Sequence, residues 1–324
     1  MITERAMLAA VHIGVWSATK HDKQISREVA AQHGAHQDAG RYNKRLLKEA
    51  KKLEALRTLA GKIRAYFYQI TLPWSDEGYR ILPAHLYFEL SKKMQEFEQE
   101  FHSAVEEFVS AYPSYIEQVK PALNGLFRTE DYPEPRKIRE KFELRLEILP
   151  IPTGNDFRVA LSEEQKQRIS GQIDRTVREA LARGTEDLWL RLRKVVAHMV
   201  ERLEDVDGRL HTSVVDNISE LVDVLPHLNI AQDARLDAFV QEVKTKLCSY
   251  SAKQLKQNQS LRATTASDAA DIVSRISELI GRPVSAPDAA TPATSATTAT
   301  ASTDTAQQSE VIFSHMAAFM GTPQ

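Results

Sequence analysis

After Ser162 apolar residues recur at every third or fourth position: Ile169, Ile173, Val177, Leu181, Gly184, Leu188, Leu192, Val195, Met199, Leu203 and Val206. This is the helical period, not the alternation of a strand. No proline falls between Glu163 and Val206. An unbroken helix over that stretch runs roughly 65 Å at about 1.5 Å per residue. Ser162 with Gln165 three residues on has the form of a capping box. Gly184-Thr185 offers a competing reading, a terminal glycine followed by a new N-cap, which would kink the helix there.

Two earlier stretches show the same period. Leu46, Leu53, Ala60 and Phe67 stand seven apart, with Leu56, Ile63 and Ile70 at companion positions, as in a coiled-coil seam. The pattern predicts a helix capped by Asp38 and ending near Thr71, because Pro73 disfavours helix before it. Leu90, Met94, Phe97, Phe101, Ala104 and Phe108 predict a second long helix ending before Pro113. Joined by TLPWSDEGYRILP, the two should pack antiparallel. Their charges agree: residues 20–64 hold 12 Lys/Arg against 5 Asp/Glu, net +7, and residues 89–117 hold 2 against 7, net -5. A short helix from Ser26 to Gln32, stopped by Gly34, precedes them, and 112–135 reads as loop with a helical turn or two. Later helices are predicted over about 211–224, stopped by Pro226, and over 233–254 and 267–280.

Strands are few. Val11, Ile13 and Val15 alternate with His12, Gly14 and Trp16, predicting a strand over 8–16. Phe142, Leu144, Leu146 and Ile148 alternate with charged residues, and after PIPTGN come Phe157, Val159 and Leu161. That is a hairpin with a longer loop. One hairpin alone is marginal, so the N-terminal strand is the natural third member of a small antiparallel sheet. The fold class expected is mainly α with a small antiparallel β-sheet, an elongated helical hairpin or coiled-coil-like scaffold. Residues 1–162 hold the helical hairpin and sheet, and 163–280 hold the long helix and a C-terminal helical segment. Residues 281–309 are Ala, Thr, Ser, Pro and Asp without apolar period, a composition expected to stay disordered. In the closing SEVIFSHMAAFMG, Ile312, Phe313, Met316 and Phe319 form a short apolar motif on that tether, the form of a docking peptide.

Composition sets outer bounds. Net charge is -2, 42% of residues are hydrophobic and 27% charged, ordinary for a folded domain and against a globally basic nucleic-acid binder. No apolar run approaches the roughly 20 residues of a membrane span. The stretch Met1–Trp16 carries Glu4 and His12 and lacks a basic leader, and a single cysteine, Cys248, cannot form an intramolecular disulfide. A cytoplasmic location is expected, with Cys248 a buried, inert thiol.

Candidate chemistry is sparse. His12, His21, His33 and His36 lie near Asp22 and Asp38, without the spacing of a metal site and with Gly34 between two of them. The connection bearing Trp74, Asp76, Glu77, Tyr79 and Arg80 is unusually rich, and Ser75, Asp76 and His85 invite a triad reading without a nucleophile-elbow pattern. Its main expected use is structural, with a partner contact as the functional candidate and an enzyme site in 74–85 as an alternative. Arg41, Arg45, Lys48 and Lys52, on the predicted helix, are the candidate nucleic-acid face. Neither a P-loop nor a GxGxxG is present, and no cofactor is expected.

The strings WSATKHDKQIS, AGRYNKRLL, ITLPWSDEGYRILPAHLYFE, the DYP loop and DFRVALSEEQ occur in that order. Over about residues 5–220 the series resembles a phage and mobile-element family catalogued as domain of unknown function 3150. The resemblance implies no catalytic residues. It implies a helical adaptor working beside a MoxR-like AAA+ ATPase or a protein with a von Willebrand A-type domain. Apart from the resemblance, the long apolar stripes leave self-association as a further option.

Overall fold

The computed structural model describes residues 2–75, 78–154, 162–205 and 210–280. The fold is mainly α with a small antiparallel sheet. The chain forms two compact units. A hairpin unit takes Val11–Arg64 with Leu90–Glu147, and a bundle unit takes the described parts of Met1–Ala10, Ala65–Glu89 and the chain from Ile148 onward. The units are discontinuous in sequence and do not follow the boundary expected at residue 162.

In the hairpin unit, helices α2 (Lys51–Gln69) and α3 (Tyr87–Leu123) contribute the two predicted stripes. Leu53, Leu56, Ala60 and Ile63 are buried against a core that takes Leu90, Met94, Phe97, Phe101, Val105 and Phe108. Lys52 lies 3.5 Å from Glu107 and Lys62 lies 3.9 Å from Glu100, so one helix ascends as the other descends. These pairs are half exposed and add only about 0.2–1 kcal/mol each; they set the pairing rather than hold it.

Three expectations are corrected here. Helix α2 begins at Lys51, not after Asp38. The intervening chain forms strand β3 (Asn43–Arg45), paired antiparallel with β2 (Thr19–His21), and Glu49 at φ 49° is in the left-handed region, which a helix does not contain. Helix α1 (Lys23–Gln32) is capped by Asp22, whose side chain accepts from the Ile25 amide, and not by Ser26; Gly34 follows at φ 60°. Helix α3 passes through Pro113 to Leu123. That proline forfeits one backbone hydrogen bond, but Phe108, Tyr112, Tyr115 and Val119 carry the buried stripe across it.

Trp16, Phe108, Tyr112 and Phe142 form an aromatic cluster, with ring centroids 5.3–6.4 Å apart. The Tyr112 hydroxyl is buried there and meets no hydrogen-bond partner among the described residues. Burial, then the neighbouring Tyr132, pushes its pKa up to about 12. Tyr112→Phe is therefore expected to be neutral, or to stabilise by up to about 1 kcal/mol. Urea denaturation checks this; a loss above 1 kcal/mol would mean that the hydroxyl is satisfied.

The bundle unit contains the antiparallel ladder of β1 (Ala6–Gly14), β5 (Arg80–Pro83) and β4 (Leu72–Pro73), with Ala6 opposite Pro83 and Leu72 opposite Ile81. The sheet order is β4-β5-β1-β6, where β6 is Glu143–Leu149. Among the described residues the sheet thus has four strands. Two come from the α2–α3 connection, where no strand was expected, and the predicted strand over 157–161 lies outside the described residues. Leu8, Ala9 and Ala10 are all buried, so β1 starts at Ala6, in a continuous apolar run rather than the alternation that placed it at 8–16. A short helix, α4 (Pro135–Arg139), precedes β6.

The long helix α5 (Glu163–Glu204) is unbroken and its capping box is formed: Ser162 accepts from the Gln165 amide while Gln165 accepts from the Ser162 amide. Gly184 makes no kink. It is buried mid-helix, and a Cβ there would stand 3.3 Å from Leu72 Cδ1, so the glycine serves close approach of β4. Helices α6 (Thr212–Leu228), α7 (Ala234–Leu247), α8 (Ala252–Gln257) and α9 (Gln259–Leu279) complete the bundle. Against expectation, α6 runs through Pro226, 233–254 is two helices, and α9 starts eight residues early, because Asn258 caps it. The Arg262 guanidinium donates to the carbonyls of Arg202, Leu203 and Asp205 and so closes the C-terminus of α5. No helix among the described residues is long and apolar enough to cross a membrane.

Candidate functional site

The α2–α3 connection is built around the end of α2, whose last carbonyls have no helical partner. Thr71, fully buried, donates its hydroxyl to the Phe67 carbonyl. Arg80 Nε donates to Thr71 Oγ1 at 2.8 Å and Nη2 to the Thr71 carbonyl at 3.1 Å. Arg191, from α5, donates to the carbonyls of Gln69 at 3.0 Å and Thr71 at 2.8 Å and pairs with Asp187 at 2.7 Å. The Arg80 guanidinium lies 4.3 Å from the Tyr68 ring centroid. Burial, then the charge of Arg191, pushes the Arg80 pKa down to about 10, and Asp187 opposes the shift. Arg183 donates to the carbonyl of Trp74, which is itself buried.

Of the residues singled out here, Trp74 and Arg80 are thus engaged within the fold, and Tyr79 is half-buried. Asp76 and Glu77 lie outside the described residues, as do Ile312, Phe313, Met316 and Phe319. His85 meets His227 of α6, ring centroids 5.4 Å apart. Ser75 is exposed.

The basic run does not lie on one helical face, which corrects the expectation. Arg41 is in a loop, Arg45 on β3, Lys48 precedes α2 at 3.9 Å from Glu49, and Lys52 is on the first turn of α2. Among them Lys44 is buried, 2% exposed. Its ammonium meets Asp131 Oδ2 at 2.5 Å, the Leu126 carbonyl at 2.8 Å and Asp22 Oδ2 at 3.5 Å. Lys20 takes the other Asp131 oxygen at 2.7 Å. Burial alone would raise the Asp131 pKa, but hydrogen bonds and charge from Lys20 and Lys44 outweigh it and hold the carboxyl below its usual range. Tyr132 donates to the Leu46 carbonyl, and burial, then Asp131, pushes its phenol up to about 12.

Sequence reasoning missed this network and the role of Arg191. A signal was present. Lys20 and Asp22 fall in WSATKHDKQIS, Lys44 in AGRYNKRLL and Asp131 in the DYP string, while Thr71 and Arg80 fall in ITLPWSDEGYRILPAHLYFE. Each string supplies a polar group to a buried junction, so what they have in common is structural chemistry.

The N-terminal histidines have local partners: His12 lies 3.0 Å from Glu147, His21 3.1 Å from Ser26 Oγ, and His33 follows α1 as its C-cap. No three His, Cys, Asp or Glu side chains converge as for a metal among the described residues. Cys248 is half-buried, and burial raises its thiol pKa. The turn between α6 and α7 holds a cleft of about 360 Å³, lined by Pro226, Asn229, Gln232, Asp237 and Gln241. Asn229 organises it: its side-chain amide donates to the Asp233 carbonyl at 3.0 Å and to Asp237 Oδ1 at 2.9 Å, and its side-chain oxygen accepts from the Asp233 amide. Compared with protein-family models, with curated proteins and with solved structures, the chain matches none.

Proposed function

We propose that the chain is a non-enzymatic α-helical interaction protein, an adaptor of a phage or mobile element working in the cytoplasm beside a MoxR-like AAA+ ATPase or a von Willebrand A-type protein. The observation that carries this reading is the SEVIFSHMAAFMG motif at the end of a tether, 281–309, with no apolar period of its own. A tether raises the local concentration of such a peptide without adding contacts. The helices α3 and α5, 37 and 42 residues long, suit a scaffold that presents the motif. The arginines around Thr71 fit the same reading, since their donors are engaged within the fold, by the Gln69 and Thr71 carbonyls, the Thr71 hydroxyl and Asp187.

The test is a tagged pull-down with crosslinking mass spectrometry from the native host, comparing full length with a 1–280 truncation. Full length is expected to recover a discrete protein partner and the truncation to lose it. Recovery of no protein by either would overturn the reading. Deleting 310–324 is expected to leave the thermal midpoint unchanged, within about 1 °C. A drop of several degrees, the size of about 1 kcal/mol in stability, would show that the motif docks on its own chain.

A further inference from the structure

We infer that the cleft between α6 and α7 binds an arginine side chain of a partner polypeptide. This rests on the reading of the chain as an interaction protein and supplies a contact, with its chemistry, that is separate from the tail.

The lining decides the class of ligand. Its one formal charge is Asp237. Asp237 gives one oxygen to Asn229; its other oxygen, and the side-chain amides of Gln232 and Gln241, have no partner among the described residues. The turn joins the C-terminal end of α6 to the N-terminal end of α7, so the two helix dipoles oppose each other there and the sign of the cleft is set by Asp237. The nearest cation on α7, Arg235, is taken by Asp233. Anions are therefore disfavoured. A hard divalent ion finds one carboxylate where it wants six or more oxygens. At about 360 Å³ the space is at the bottom of the range for small-molecule pockets and holds one long side chain rather than a nucleotide. An arginine fits each feature: its aliphatic stem lies on the Pro226 ring, and its planar fork matches a carboxylate flanked by amide oxygens better than an ammonium does.

The surroundings extend the site. His227 follows Pro226, and its ring meets that of His85. Two residues on, Tyr87 and Phe88 contact edge to face at 5.4 Å, and Phe88 is 80% exposed, the most exposed large apolar side chain among the described residues. The proposed segment carries an apolar residue beside its arginine, to meet Phe88 as well as the cleft. Gln232 at φ 56° holds the turn in the left-handed region, which costs free energy for a residue other than glycine and keeps its side chain on the cleft.

The experiment uses the full-length protein and two peptides, acetyl-Gly-Phe-Arg-Gly-amide and the same peptide with citrulline, an uncharged isostere, for arginine. Binding is followed by amide chemical shifts and by calorimetry. The arginine peptide is expected to bind about tenfold more tightly, with shifts at Gln232, Asp237 and Gln241. Asp237→Asn keeps the acceptor for Asn229 and removes the charge, so it should bring the ratio to about one, while loss of an acid from the first turn of α7 should cost the fold no more than about 1 kcal/mol. Gln241→Glu, which adds a carboxylate, should tighten the arginine peptide about fivefold and serves if Asp237→Asn fails to fold. Equal binding of the two peptides, or a ratio that survives Asp237→Asn, overturns the inference. So does a tenfold gain in Arg282→Gln, which would place the chain's own arginine in the cleft. Peptide failure with a partner still recovered by pull-down removes the cleft and leaves the adaptor reading; failure of both removes the reading as well.

Discussion

Asp131→Ala is expected to cost about 3–5 kcal/mol at neutral pH, the usual result of removing one partner from a buried ion pair. Lys44 is 2% exposed, and in the variant its ammonium keeps only the Leu126 carbonyl at 2.8 Å and Asp22 at 3.5 Å. Asp22 is already occupied in capping α1 through the Ile25 amide. Lys20 is half exposed and can turn to water, so most of the loss falls on Lys44. Urea denaturation followed by circular dichroism measures it; a loss under 1 kcal/mol would show that water reaches Lys44. Asp131→Leu combined with Lys44→Met should recover part of the loss, because it removes both charges of the closest pair, while Asp22, also buried, keeps its bond from the Ile25 amide. The pH dependence has a definite sign. The folded Asp131 carboxyl is held below its unfolded pKa of about 4, so its stabilisation is fully present above that value and is lost as pH falls through the lower folded pKa. The gap between wild type and Asp131→Ala should therefore be widest at neutral pH and close in acid.

The long helices were legible because burial imposes a period. The stripes Leu53, Leu56, Ala60, Ile63 and Leu188, Leu192, Val195, Met199 are buried as the spacing required. The capping box at Ser162 was legible because it is local chemistry, two side chains and two amides three residues apart. What failed depended on partners distant in sequence. A proline at 113 or 226 marks a helix end unless buried residues on both sides hold the helix together, and the composition around it does not show that. Gly184 reads equally well as a cap or as a contact until Leu72 is placed against it. Strands β4 and β5, two and four residues long, are too short for any alternation.

The candidate residues divide the same way. Trp74 and Arg80 stood out as unusual; in the fold Arg80 closes the end of α2, and Trp74 is buried with its carbonyl accepting from Arg183. Lys44 looked like one more cation in a solvated run because nothing near it in sequence announces Asp131, 87 positions away. The +7 and -5 segments did meet, through Lys52 with Glu107 and Lys62 with Glu100. The cleft at 226–241 carries no motif, since its polar groups gather only when the turn folds about Asn229.

Arg191 ties α5 to the end of α2 by two hydrogen bonds and pairs with Asp187 one turn back on α5, and Arg191→Ala is expected to destabilise the protein by about 3–5 kcal/mol. The estimate follows from what is left behind. The Gln69 carbonyl loses its side-chain donor, the Thr71 carbonyl keeps only the longer bond from Arg80, and Asp187, three-quarters buried, loses its ion pair. Each unmet buried group costs about 1–3 kcal/mol, more when charged. Relief of the repulsion between Arg191 and Arg80 returns part of this, which keeps the total near the lower end of the summed costs. Arg191→Lys separates charge from geometry. A lysine restores the partner of Asp187 but cannot fork to two carbonyls, so it should recover about half of the loss. Full recovery by lysine would make the ion pair the whole effect, and no recovery would make it the carbonyls alone. Native-state hydrogen exchange locates the damage: in Arg191→Ala the amides at the end of α2 and in β4 should lose protection first, and uniform loss across the bundle would assign Arg191 to global packing instead.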